Sequence, residues 1–209
     1  MDNTTNKIWF ILGGIGIGFL FAFVFLSSTR LGGMMTWRTS DSTQPVGQQV
    51  TNSGSLDRHF IEQMIPHHEG AVAMANLALQ KAQHPEIKTL AAAIIEAQTA
   101  EIQSMGGWYQ DWFGNAVPEV TTGMMGGGMM SQSGMHMGGQ EDIAVLKNAS
   151  DFDKAFIEQM IPHHQLAIMM AQMLQAGTSR PEMLELAQNI ITSQSQEIQN
   201  MQEWYQAWY

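Results

Sequence analysis

The chain has 209 residues and a formal net charge of −10, from 9 lysines and arginines against 19 aspartates and glutamates. That balance speaks against nucleic acid as a partner, because phosphate binding needs a basic face. With no cysteine, the chain holds no disulfide, zinc finger, iron–sulfur cluster or thiol nucleophile; its 18 methionines are the excess that needs a reason.

Residues Ile8 to Leu26 read IWFILGGIGIGFLFAFVFL, nineteen residues without a charge. As a helix they span about 28 Å at 1.5 Å per residue, the hydrocarbon thickness of a bilayer. The exit, Ser27-Ser28-Thr29-Arg30, is a poor cleavage site. Residues 1–30 are therefore expected to be an uncleaved, single-pass membrane anchor. Lys7 on one side and Arg30 and Arg38 on the other leave its orientation undecided by charge. Residues 31–56, rich in Gly, Ser, Thr and Gln, read as a flexible tether.

An internal repeat follows. Asp57 to His68, DRHFIEQMIPHH, returns as Asp153 to His164, DKAFIEQMIPHH, at an offset of 96 that holds without a gap to Tyr209. Of the 57 paired positions 28 are identical, too many for chance, so residues 57–113 and 153–209 are a duplicated unit. Each unit reads as a helical hairpin. In the first, Phe60, Met64, His67, Ala71, Met74 and Ala78 form one stripe, and Ile61, Ile65, His68, Val72, Ala75 and Leu79 form a second beside it. Pro85 and Glu86 suit a helix start. The next stripe is Ile87, Ala91, Ile94, Gln98, Glu101, Met105, Trp108 and Trp112. Neither face is buried within one hairpin. The fold class expected is all-α, a four-helix bundle of two packed hairpins over residues 57–209.

Residues 114–150 connect the repeats. Their first half is Met/Gly-rich, with Met124, Met125, Met129, Met130, Met135, His136 and Met137 set among glycines and serines. Asp142 to Lys147 is expected as a short helix, and Ser150 with Asp153 resembles a capping box.

His67, His68, His163 and His164 fall on the core stripes. A lone histidine there is usually a satisfied core residue, but adjacent pairs at equivalent positions of both repeats argue for a shared function. Four imidazoles in an apolar bundle are costly unless bonded or ligated. Met64 stands three and four residues before His67 and His68, and Met160 does the same before His163 and His164, so thioether and imidazole share a face. That donor set suits copper, particularly Cu(I). Glu101 and Glu197 need partners on apolar stripes, either as metal ligands or as acceptors from a ligating imidazole; Gln98 and Gln194 lie beside them. Pro66 and Pro162, just before the histidine pairs, either kink a helix or begin a new one. The Trp108, Tyr109, Trp112 set and its copy at Trp204, Tyr205, Trp208 are expected to close an end of the bundle. Thioethers between glycines have no core to fill, and they serve zinc poorly. Imidazoles ligate only when neutral, so the histidine sites are expected to weaken below about pH 6.

The Phe-Ile-x-x-Met-Ile-Pro-His-His core, followed by Ala-Val-Ala-Met-Ala (71–75) or Ala-Ile-Met-Met-Ala (167–171) and by Gln-x-x-Glu-Ile-x-x-Met, resembles the bacterial "domain of unknown function 305" family of the ferritin-like group. The resemblance covers both repeats. It implies an all-helical bundle and a periplasmic or secreted protein of copper binding and copper tolerance. The positions it marks are Met64, His67, His68, Glu101 and Met105, with Met160, His163, His164, Glu197 and Met201. A departure is Ala155, where the first repeat has His59.

The expected function is therefore a non-catalytic, extracytoplasmic copper-binding protein. Its partners would be copper ions, the membrane through its N-terminal helix, and other copper-handling proteins. Two other readings remain. One is a metal-dependent oxidase of ferritin-like type, which the absence of a Glu-x-x-His motif disfavours. The other is a structural bundle whose histidines pair only with Glu101 and Glu197.

Overall fold

The structure, a computed structural model, describes residues 46–118 and 140–209. Among these every regular element is a helix: α1 (Val46–Lys81), α2 (Pro85–Phe113), α3 (Gln140–Asn148), α4 (Phe152–Gly177) and α5 (Pro181–Trp208). The expected anchor at 1–30 and the methionines from Met124 to Met137 lie outside the described residues. Among the described residues no helix is long and apolar enough to cross a membrane.

Helix α1 starts earlier than the composition suggested. Residues 46–56, expected in the tether, are helical. Helix growth is unfavourable at nucleation and cheap in propagation. The buried turns from Asp57 onward supply the nucleus, and no proline interrupts Val46 to Leu56. Leu56 also has a seat: it lies so close to Gly177 that a Cβ added there would stand 2.5 Å from the Leu56 Cδ2.

Pro85 and Pro181 open α2 and α5 in the first turn, after extended residues His84 (φ −75°, ψ 129°) and Arg180 (φ −83°, ψ 123°). The proline ring disfavours helical backbone one residue earlier, so each hairpin turn is set locally. Gly114, with φ 74°, ends α2 in the left-handed conformation that glycine takes without a Cβ clash. The cap of α4 is Asp151 rather than Ser150. Its carboxylate accepts from the Lys154 backbone N–H at 3.0 Å, the reach that satisfies an orphan amide of the first turn. Pro66 and Pro162 sit inside α1 and α4, which run through them. No new helix begins at either proline, but each ring removes the N–H that the carbonyls of Glu62 and Glu158 would otherwise accept.

Helix α1 packs along α2, and α4 along α5; the two hairpins meet along α1 and α4. These inner helices run antiparallel. The start of α1 meets the end of α4, where Leu56 approaches Gly177 and Arg180 bonds Asp57; the end of α1 meets the start of α4, where His84 bonds Asp153. The short α3 joins them through Lys81, whose amine donates to the Lys147 carbonyl at 2.8 Å. The core falls into two clusters. Met64 and Met105 pack with Phe60, Ile61, Ala167 and Ala171; Met160 and Met201 pack with Phe156, Ile157, Ala71 and Ala75. Met64 and Met105 thus share an apolar cluster with alanines of α4, and Met160 and Met201 with alanines of α1, small residues that permit close approach. Each such fully buried side chain contributes roughly 1.5–3 kcal/mol, so association of the hairpins is strongly favoured.

Candidate metal centre

The two inner helices cross at their histidines. His67, His68, His163 and His164 have no solvent exposure. Their rings form a row across the bundle: His68 to His67 is 6.1 Å between centroids, His67 to His163 is 3.7 Å, and His163 to His164 is 6.2 Å. A carboxylate closes each end. The Nε2 of His68 donates to the Glu101 Oε2 at 2.7 Å, and that of His164 to the Glu197 Oε2 at 2.6 Å. In the middle, the Nε2 of His67 lies 3.1 Å from the His163 backbone carbonyl, to which it donates.

These bonds decide the tautomers. A carboxylate or carbonyl oxygen only accepts, so each bonded Nε2 carries a proton, and in His67, where burial opposes a second proton, the Nδ1 carries a bare lone pair. The Nδ1 atoms of His67, His68 and His164 have no hydrogen-bond partner, and neither ring nitrogen of His163 has one. A buried polar atom without a partner costs on the order of 1–3 kcal/mol. Five such nitrogens on one row are a large standing penalty in the metal-free fold. An unprotonated imidazole lone pair in this state is also what a soft metal ion takes.

Burial keeps the central pair neutral. It pushes the His67 imidazole down to about 3, helped by its neighbours His68 and His164. It pushes His163 well below its ordinary value as well, with the other three histidines adding to the effect. For these two residues the apolar surroundings of the metal-free fold oppose the imidazolium well below pH 6.

The thioethers stand one turn away. Met64 and Met105 are fully buried in one cluster, on the faces of α1 and α2 that carry His68 and Glu101; Met160 and Met201 repeat this on α4 and α5. Each is one helical turn from its partner on the same face, Met64 from His68 and Met105 from Glu101. Among the described residues no three imidazole or carboxylate groups gather as a hard-metal cage requires. The residues present fit a soft ion: buried imidazole nitrogens without partners, neutral sulfurs on the same faces, and one carboxylate per hairpin to offset its charge. Gln98 and Gln194 are buried one turn from the glutamates with their Oε1 atoms unpartnered.

The ten positions marked in the repeats thus gather on one layer and its two flanks. His59, with a side chain 71% exposed, stands apart. The tryptophan pairs do not close a single end. Trp108 stacks on Trp112 and Trp204 on Trp208, but Trp112 lies under Arg180 and Trp208 under His84, at opposite ends of the bundle. These end contacts, with buried Asp57 and Asp153, were not foreseen. The clue was present in the repeat, since both aspartates recur at the offset that pairs His84 with Arg180.

Residues 57–205 match the family described as a domain of unknown function, DUF305, and the chain belongs to that family. Among solved structures it is similar to CopM, at 48% identity over 73% of this chain and 97% of that one, with a TM-score of 0.63 for the form described as Cu(I)-bound. CopM is also solved in Cu(II)-bound and Ag-bound forms. A DUF305 fragment from Deinococcus radiodurans is 25% identical over 73% of this chain and 96% of that one, with a TM-score of 0.62. An uncharacterized protein, L153 of Acanthamoeba polyphaga mimivirus, is 43% identical over 49 residues. That match covers 23% of this chain, and the chain spans about a third of that relative, 32% of its length. The similarity to CopM supports a copper-related function.

Proposed function

We propose that this chain binds copper in its bundle core and sequesters it or hands it on outside the cytoplasm, without catalysing a reaction. The supporting observation is the row of four buried imidazoles with ring nitrogens that lack partners, flanked by buried thioethers, in a chain 48% identical to a protein solved with Cu(I), Cu(II) and silver. In this reading Met64, His67, His68 and Met105 serve one hairpin and Met160, His163, His164 and Met201 the other. Glu101 and Glu197 orient the outer imidazoles and balance the charge of a monovalent ion. The segment holding Met124, Met125, Met129, Met130, Met135, His136 and Met137 adds thioethers for capture. The apolar run Ile8–Leu26 holds the body at a membrane, and other copper-handling proteins are its exchange partners.

Silver, a redox-silent stand-in for Cu(I), tests the reading. Leucine has about the volume of methionine, and such swaps usually cost less than about 1.5 kcal/mol in a core. A variant with Met64, Met105, Met160 and Met201 all changed to Leu is expected to unfold cooperatively, at a midpoint lowered by the summed cost of the four swaps, and to lose the silver equivalents of the core in calorimetric titration while keeping those of the Met124–Met137 segment. Unchanged silver binding by that folded variant would overturn the reading.

A further inference from the structure

The two ends of the bundle are built alike but finished differently. At one end the fully buried carboxylate of Asp57 accepts from the Arg180 Nε at 3.1 Å, and the guanidinium lies 4.0 Å over the Trp112 ring. At the other end the same three places hold Asp153, His84 and Trp208. Asp153 is buried and accepts from the backbone N–H groups of Gln83 and His84 and from the His84 Nδ1 at 2.6 Å. The His84 ring lies parallel to Trp208 at 3.7 Å, tilted by 6°. Arginine fills its end with a fixed charge. The shorter, half-exposed imidazole leaves beside it a cleft of about 380 Å³ that Asp151 and Tyr209 also line.

We propose that this cleft is a separate site for a divalent ion, Cu(II) by preference, held by the His84 Nε2 and the Asp151 carboxylate. A ligating histidine commonly donates its other ring N–H to a carboxylate, which fixes the tautomer; Asp153 accepts from the His84 Nδ1, which leaves the Nε2 of this partly exposed ring as the nitrogen to ligate. The Tyr209 hydroxyl donates to the Asp151 Oδ1 at 3.0 Å, which also accepts from the Lys154 amide, so the Oδ2 is the oxygen offered. Imidazole and carboxylate oxygen suit divalent ions, and affinity among them peaks at Cu(II). The sulfur-bearing core favours the monovalent state, so the two donor sets divide the oxidation states of one metal.

Charges of both signs lie at this end, with the Lys81 amine held on the Lys147 carbonyl. The starts of α2 and α4 point positive ends here, but Asp151 and Asp153 answer them with two carboxylates. The Lys154 amine stands over the Tyr205 and Tyr209 rings at 5.6 and 5.3 Å. With two protein donors and solvent completing the shell, the site is weaker than the core and exchanges faster.

The proposal rests on copper being the cargo, and its test separates the two. Cu(II) is titrated into the full-length chain while tryptophan emission and the electron paramagnetic resonance spectrum are followed. Wild type is expected to show quenching, since Trp208 touches the ligating ring, and coupling to imidazole nitrogen. His84→Arg copies the opposite end and keeps the clasp; it is expected to lose that quenching phase and one Cu(II) equivalent, with its silver binding intact. Asp151→Asn, which still caps α4, is expected to weaken the same equivalent and carries the test if His84→Arg does not fold. Equal Cu(II) binding and spectra in wild type and a folded variant would overturn the proposal, as would a wild type that binds no Cu(II) outside the core. Loss of silver binding in wild type would instead overturn the core reading.

Discussion

His67 and His68 are neighbours in the chain with different partners, and the difference is set by packing. The pair lies on a broad apolar face, and nothing in its spacing says which ring meets Glu101 and which crosses to the other hairpin. The antiparallel contact with α4 makes that choice: His67 faces His163, and His68 is turned to α2. The stripes that put these histidines and methionines in the core were legible because their period is that of a helix. The pairing was not, because it depends on a partner helix about a hundred residues away. Glu101 is the sharpest handle on this arrangement. Glu101→Gln keeps the shape and removes the charge, so the imidazole loses a strong acceptor and the bound cation loses its counter-charge. Silver affinity of the first hairpin is expected to fall roughly 10–100-fold, the range seen for such outer partners, with the second hairpin unaffected. Site-resolved titration by NMR of the imidazoles checks this; equal loss at both hairpins would contradict it.

At the level of the helix, the prolines are the anomaly. Each lies one residue before a histidine pair, inside a continuous helix, where proline is disfavoured by roughly 3 kcal/mol relative to alanine. Both repeats retain it, and both leave a glutamate carbonyl short of its helical donor. Local rules read the remaining element boundaries well where they are steric. Pro85 and Pro181 mark helix starts, and the short helix before Ser150 lies where its pattern placed it. They failed where a distant contact decides. Leu56 against Gly177 is such a contact in the stretch where α1 runs back through the expected tether, and Asp153, read as half of a capping box, is instead buried against the loop after α1. If the proline aims the histidines, Pro66→Ala will restore the missing hydrogen bond, raise the thermal midpoint and lower silver affinity together. A stabilised variant with unchanged affinity would show that the irregular turn does not serve binding.

For the molecule as a whole, the row of imidazoles makes stability depend on acidity. His67 is held neutral down to about 3, against 6.5 for the exposed side chain, and His163 is displaced in the same direction. Below pH 6.5 the unfolded chain takes up protons that the folded one refuses, so folding is favoured less as pH falls. The stability is fully present above about pH 6.5 and is lost at up to about 1.4 kcal/mol per pH unit for each of these two histidines as pH drops towards 3. Urea unfolding of metal-free protein at pH 7 and pH 4.5 measures the effect. A midpoint that holds steady or rises on acidification would contradict the burial of neutral imidazoles. The same destabilised core is a reason for ion binding to tighten the fold, since anything bound only by the native state adds to its stability.

The duplication gives the bundle its two-fold design: two flanks related through His67 and His163, and two ends built on Asp57 and Asp153. The overall plan was therefore readable from one motif and its copy, while the unequal ends were not, since His84 and Arg180 gain meaning only when their aspartates are found across the hairpin boundary. The most direct measurement is a crystal structure of the silver-loaded protein with the metal located by its anomalous scattering. The account predicts silver within bonding distance of the Met64 and Met105 sulfurs and the His68 Nδ1, and again at Met160, Met201 and the His164 Nδ1. Silver confined to the surface, with the core imidazoles as bare as in the metal-free fold, would contradict it.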